Sequence, residues 1–245
     1  MTTVATRERA PRAGVMARCA RAALVVAALF TSGTVATLGA QGDDTQLWSL
    51  NVVQGRFGSR GLWYAEVQPR ISDDISRRGQ LLLRPAVGLR LNSRVDALFG
   101  YAYVRTDPLE ARTIKEHRLW QQLQWTAVDR PGGLRIGGRS RLEQRVVEGD
   151  HDLGWRLRQQ IRAQHPLTRG RGAPSAVLWT EPFLQLDDTR WGARSGFDQW
   201  RTFAGIAIPV GDKLTVEPGY MQQRVAQPGR DRINDIVSIN LFLRF

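Results

Sequence analysis

The chain has almost no cysteine, almost no lysine and no long apolar helix beyond its first forty residues. Its single cysteine, Cys19, lies in the N-terminal segment. Beyond that segment there is therefore no disulfide framework, no thiolate metal site and no cysteine nucleophile. Lysine occurs only at Lys115 and Lys213, although the net charge is +12. The positive charge is thus almost all arginine, spread over many segments rather than gathered on a basic helix or finger. That distribution argues against nucleic acid as a partner. Histidine is limited to His117, His151 and His165, with no zinc spacing and no nucleophile elbow. No cofactor is expected.

The N-terminus carries a basic stretch, an apolar core from Ala22 to Phe30, and then small residues up to Ala40. This is the layout of a secretory signal peptide. The apolar core is shorter than the roughly 20 residues a spanning helix requires. Residues 1–40 are therefore read as a signal peptide, cleaved before Gln41, and residues 41–245 as one domain. Translation from Met16 would give an export segment of ordinary proportions. Five arginines and Glu8 give the first forty residues four of the net positive charges, so the mature chain retains +8.

From Leu47 onward the pattern has a period of two, in segments of about ten residues punctuated by Gly, Pro and Asp. That is the signature of membrane-length strands. In LLLRPAVGLRL, Leu81, Leu83, Pro85, Val87, Leu89 and Leu91 share one face, and Arg84, Ala86, Gly88 and Arg90 take the other. In KEHRLWQQLQW, Glu116, Arg118, Trp120, Gln122 and Gln124 fall together. Pro69, Pro85, Pro182 and Pro218 lie on apolar faces, where their missing N–H implies bulges or strand ends. The closing segment DIVSINLFLRF puts Val237, Ile239, Leu241, Leu243 and Phe245 on one face. Phe245 is expected to act as a terminal insertion signal for this strand.

Eleven segments can be counted if LWSLNVVQG is included. A closed bacterial barrel is expected to be even-stranded, so the predicted fold is an all-β, antiparallel transmembrane barrel of 10 or 12 strands. An exported soluble β-sandwich or carbohydrate-binding module would show similar alternation.

Several pieces, in this order and spacing, carry a resemblance: YAEVQPR (64–70), LRPAVGLR (83–90), FGYAYV (99–104), EHRLWQQ (116–122), RSRLEQR (139–145), EPF (181–183), EPGYMQQ (217–223) and the aromatic C-terminus. With them the chain resembles a family of uncharacterised Gram-negative outer-membrane β-barrels known only as domain of unknown function 2490. The resemblance implies the fold and the outer membrane. It implies no activity, ligand or catalytic residue.

Charged side chains cannot face lipid cheaply, so they are assigned to the barrel interior. The predicted lumen network comprises Glu66, Arg70, Arg84, Glu116, Arg118, Arg139, Arg141, Glu143, Arg145, Arg156, Arg158, Glu181, Arg201 and Glu217. Such groups can form bidentate arginine–carboxylate pairs. They either plug the barrel as a structural envelope component or line a small anion-preferring pore. If a tight turn centres between Arg130 and Pro131, Glu116 faces Arg145, Arg118 faces Glu143, and Arg156 comes beside Glu143. A lipid-active enzyme using His117, which parity places outward, is the remaining alternative. The EGDHD loop and the acidic pairs at 43–44, 73–74 and 187–188 are read as solvated ends rather than metal sites. Of the eight tryptophans, Trp48, Trp63, Trp125, Trp155, Trp179, Trp191 and Trp200 lie near predicted strands or their ends; interfacial belts explain several of them, and carbohydrate stacking is the sharper alternative. Expected partners are outer-membrane lipid and lipopolysaccharide, the assembly machinery during insertion, and a small anionic solute.

Overall fold

The computed structural model describes residues 44–245; the segment assigned above to export, with Cys19 and the cleavage position, lies outside the described residues. The described residues form twelve strands and no helix. They are β1 (Asp44–Trp48), β2 (Asn51–Phe57), β3 (Gly61–Ser72), β4 (Arg77–Arg90), β5 (Val95–Thr106), β6 (Ile114–Asp129), β7 (Arg135–Val147), β8 (Gly154–Pro166), β9 (Ser175–Gln185), β10 (Gly196–Val210), β11 (Leu214–Val225) and β12 (Arg232–Arg244). From β3 to β12 each strand pairs with the next, antiparallel throughout.

The sheet closes on itself through β1 and β2, which run in series. Both pair in parallel with β12 and antiparallel with β3. They occupy one position in the barrel, broken at residues 49–50. Ser49 N donates to Pro69 O at 3.1 Å and Leu241 N donates to Leu50 O at 2.8 Å, so the ladders run past the break. Twelve strands therefore fill eleven positions. The even-strand rule assumes an antiparallel seam. With an odd number of positions the first and last strands point the same way, and the seam must be parallel.

β3 to β12 are 11–16 residues long. That exceeds the usual five or six and is enough for tilted strands to span a bilayer. Pro85, Pro182 and Pro218 sit inside strands without shifting register. Beside each, one ladder lapses: between Leu83 and Ala86 against β5, between Arg158 and Ile161 against β9, and between Gly205 and Ile208 against β11. A missing donor thus removes local pairing rather than forcing a bulge. The true register shifts are at Arg70/Ile71, Thr126/Val128 and Phe197/Gln199.

Burial is inverted relative to a water-soluble fold. Among the described residues, twenty-two polar or charged residues are buried against thirteen hydrophobic ones, and twenty-eight large hydrophobics are exposed. On β4, Leu82, Arg84 and Ala86 point in, while Leu81, Leu83, Val87 and Leu89 point out. Two small apolar clusters share the interior with the charges. Trp48, Val177, Phe203, Ala207, Met221 and Ile236 form one, and Ala86, Ala102 and Trp120 the other. Gly100 makes room for the second: a Cβ there would lie 2.4 Å from the Trp120 ring.

Candidate functional site

The interior is crossed by a chain of arginine–carboxylate pairs, supplied by every second residue of adjacent strands. Glu143 on β7 is its hub, with 0% exposure. It accepts from Arg156 Nε and Nη2 (3.1 and 2.7 Å) and from Arg158 Nη1 (2.8 Å). Arg118 and Arg141 each approach it to 3.8 Å. Arg158 continues to Glu181 at 3.0 Å, and Glu181 also receives Arg139 at 3.1 Å. In the other direction Arg118 pairs two-pronged with Glu116 (2.9 and 2.7 Å), which Arg145 reaches at 2.5 Å. Arg156 adds Asp198 at 3.1 Å. Two pairs stand apart. Glu66 is bonded by Arg84 and by the Tyr64 hydroxyl, and Glu217 is held by both terminal nitrogens of Arg162.

All fourteen residues assigned to the lumen from the sequence thus project inward, but the β6–β7 register differs from the expected one. Arg118 faces Arg145, Glu116 faces Val147, and Trp120 faces Glu143. The ladder is displaced by two residues because the turn spans Arg130 to Leu134, closed by Gly133 N to Arg130 O and Arg130 N to Leu134 O, with a bulge beyond it at Thr126/Val128. The Glu116–Arg145 contact survives as a diagonal, which long side chains can reach. The Arg156–Glu143 juxtaposition is direct.

Three of the arginines have no carboxylate hydrogen-bonded to them among the described residues. Arg70 donates to Gln80 (2.5 Å) and Gln68 (2.8 Å), Arg141 to Gln122 (2.9 Å), and Arg201 to Gln199 (2.9 Å). Aromatic faces lie against all three guanidinium groups. Arg70 and Arg201 lie 3.6 and 4.9 Å from the Trp48 ring centre, and Arg141 lies 4.3 Å from that of Trp120. Phe183 lies among Arg156, Arg158 and Arg201 at 5.3, 4.2 and 4.6 Å. Sequence reasoning misses these aromatic partners. It counts Trp48 and Trp179 among tryptophans of which interfacial belts explain several, yet Trp48 is 2% exposed, and Trp179 stacks on Phe203 at 5.3 Å. Parity with Glu181 is the available signal for Phe183. Also missed is an amide relay from Asn234 through Gln223 to Gln199.

The residues weighed for catalysis are otherwise engaged. His117 points outward, and its Nδ1 lies 2.6 Å from the Tyr101 hydroxyl, beside Tyr103. In the EGDHD loop, Asp150 and Asp152 bind Arg190 at 3.6 and 3.0 Å. Arg190 holds the Asp152 carboxyl below its ordinary value through hydrogen bonds from its side chain and backbone. Asp187 accepts from Trp155 N, and Asp188 from Ser195 N. Among the described residues no group of acids and histidines is arranged to hold a metal.

Comparison with known proteins places the chain. Residues 45–234 match the family described as "Protein of unknown function (DUF2490)", and the chain belongs to it. An uncharacterized protein of Methylorubrum extorquens is 39% identical over 224 residues, covering 91% of this chain and 97% of that one. A solved structure described as a bacterial polysaccharide outer membrane secretin overlays with a TM-score of 0.39 at 15% identity, covering 76% of this chain and 77% of that chain.

Proposed function

We propose that this member of the DUF2490 family is an outer-membrane barrel whose interior is closed by its own ion-pair network, so that it serves the envelope as a structural element rather than as an open channel. The observation that carries the reading is the inversion of burial. Soluble monomers rarely expose contiguous apolar patches beyond a few hundred Å², whereas here apolar side chains cover the outside of successive strands and the ionised ones fill the inside. Lipid supplies the surroundings that such an exterior requires, and closure leaves no strand edge unpaired in hydrocarbon. An apolar hollow of about 730 Å³ on the outer wall, lined by Val87, Leu89, Phe99, Leu123 and Leu157, suits acyl chains. The closed barrel also leaves no place for the two-sheet sandwich considered from the sequence.

Support for a closed interior comes from the inward side chains themselves. Arg141, Glu143, Glu181, Glu217, Trp120, Phe183 and Phe203 are each no more than 1% exposed. A water-filled passage at their level would leave them accessible. Detergent partition with a heat-dependent gel shift tests the membrane assignment. Planar-bilayer recording tests closure: refolded protein should give no steady conductance, and regular open steps would refute the plug. Anion selectivity in such steps would favour the second reading, a positive passage. Arg70 and Arg201, which have no carboxylate within ion-pair distance among the described residues and donate to glutamines instead, speak for that reading.

A further inference from the structure

The two ends of the barrel carry opposite charge. At one end the five connections span residues 73–76, 107–113, 148–153, 186–195 and 226–231. They hold ten acids and four arginines. At the other end the connections are shorter on the whole: 58–60, 91–94, 130–134, 167–174 and 211–213. They hold six cations, Arg60, Arg94, Arg130, Arg169, Arg171 and Lys213, against the single acid Asp212. All six are exposed. Arg171 pairs with Asp212 at 3.4 Å; Arg60, Arg94, Arg130 and Arg169 have no acid within ion-pair distance among the described residues.

We propose that this short-turn end is a docking rim for anionic phospholipid headgroups, with the guanidinium groups of the turns holding lipid phosphates in the leaflet they meet. The proposal rests on the membrane reading above and adds the lipid class and the end that selects it. Two further features favour a lipid surface over a soluble polyanion. First, exposed aromatics sit at the strand ends beside these turns. Phe57 is 54% and Phe245 61% exposed, Phe245 stacks on Trp63 at 6.2 Å, and Lys213 lies 4.7 Å from the Phe245 ring. Aromatics at the headgroup level with cations just beyond them form an interfacial arrangement. Second, a cleft of about 390 Å³ opens between the 130–134 turn and the 167–174 loop, lined by Gly132, Pro166, Thr168, Arg169, Gly170 and Pro209. Its one charged wall is Arg169. Arginine is suited to two-pronged phosphate binding, and short turns keep the guanidinium groups near the phosphate plane.

Each cation that engages an anionic surface is worth on the order of a fivefold preference at low salt, weakening as the Debye length falls. The experiment uses the full refolded barrel in nanodiscs of mixed phosphatidylglycerol and phosphatidylcholine, with lipids retained on extraction counted by mass spectrometry. Phosphatidylglycerol should be retained several-fold over phosphatidylcholine. The preference should fall toward unity in the combined Arg60→Gln, Arg94→Gln, Arg130→Gln, Arg169→Gln variant and in high salt. It should persist when the long-loop arginines Arg112, Arg190 and Arg194 are changed to Gln. The heat-dependent gel shift establishes that each variant is folded. Equal retention of the two lipids, or a preference insensitive to the four short-turn changes, overturns the proposal. Rim-dependent binding of heparin without any lipid preference also overturns it and assigns the rim to a soluble polyanion. A chain that fails to enter nanodiscs at all defeats the membrane reading instead, so the two failures are distinguishable.

Discussion

Replacing Glu143 by Gln should be the most costly conservative change in the barrel. The side chain keeps its shape and loses its charge, leaving Arg156 and Arg158 donating to a neutral amide. Breaking a buried ion pair from one side costs about 3–5 kcal/mol, because the surviving charge is stranded in a poorly solvated place. Two features of the structure place this case near the lower figure. Arg158 retains Glu181 at 3.0 Å, and Arg156 retains Asp198 at 3.1 Å. One feature opposes them: Arg141, 3.8 Å away, loses its ion-paired carboxylate, and Arg118, also at 3.8 Å, is left with Glu116 alone. An expected loss of about 3 kcal/mol follows. Glu217→Gln is the internal control. Its one arginine, Arg162, has 29% side-chain exposure and can rehydrate, so it should lose about 1 kcal/mol. Urea-dependent unfolding of the refolded proteins in one detergent measures both. A Glu143→Gln cost equal to or below that of Glu217→Gln would refute the view that one carboxylate organises the network.

Three further outcomes are expected. Gly219→Ala places a Cβ 2.4 Å from the Phe203 ring and 2.5 Å from the Ala204 carbonyl oxygen; an overpacking loss of about 1–3 kcal/mol should appear in the same urea titration, and an unchanged midpoint would show that the ring turns aside freely. Asp152 is held below its ordinary value by Arg190, so its contribution is complete above the ordinary aspartate range and is lost as pH falls through the depressed value; amide protection relative to the intrinsic exchange rate at each pH, in residues 148–153 and 186–195, should fall in strong acid and stay flat from neutral pH down to the ordinary aspartate range. Phe245→Asp removes a ring stacked on Trp63 and puts a carboxylate beside the seam, so folding into vesicles should slow while equilibrium stability falls by no more than about 1 kcal/mol; wild-type insertion kinetics would argue against a role for this ring in docking the closing strand.

Much of this architecture is legible in the sequence because period two is unforgiving. Once Glu116, Arg118 and Glu143 are kept from lipid, every second neighbour on their strands is fixed to the same side. That logic reaches Arg84, Arg139, Arg158, Glu181 and Glu217 without any knowledge of pairing. What it does not reach is set by turns and seams. The β6–β7 register depends on Arg130–Leu134 turn geometry and a bulge two residues inside the strand, and neither leaves a mark on alternation. Eleven segments are visible, but the even-strand rule argues against that count, because nothing in LWSLNVVQG reveals that its neighbour across the seam runs parallel. The tryptophans divide for a related reason. Trp120 falls by parity on the face of Glu116 and Arg118, but Trp48, which also serves as a neutral counterpart for arginine, cannot be separated by composition from an interfacial belt.

The displaced register also changes what a charge-swap experiment reports. With Glu116 directly opposite Arg145, exchanging the two charges would restore a symmetric pair. In the observed ladder Arg118 is the residue opposite Arg145, and Glu116 binds Arg118 along its own strand at 2.7 Å. The Glu116→Arg, Arg145→Glu exchange therefore sets a second guanidinium, at position 116, beside that of Arg118. The carboxylate introduced at position 145 is left to bridge the two. One of the attractions now made by Glu116 becomes a repulsion, while position 145 gains a direct cross-strand partner in Arg118. A double-mutant cycle should still show coupling between positions 116 and 145, because Glu116 and Arg145 touch at 2.5 Å. It should recover only part of the single-mutant losses, and adding Arg118→Gln to all four corners should raise the recovered share. Full recovery without that third change would mean that Arg118 does not share Glu116, and the chain of pairs from Arg145 to Glu143 would be broken at its first link.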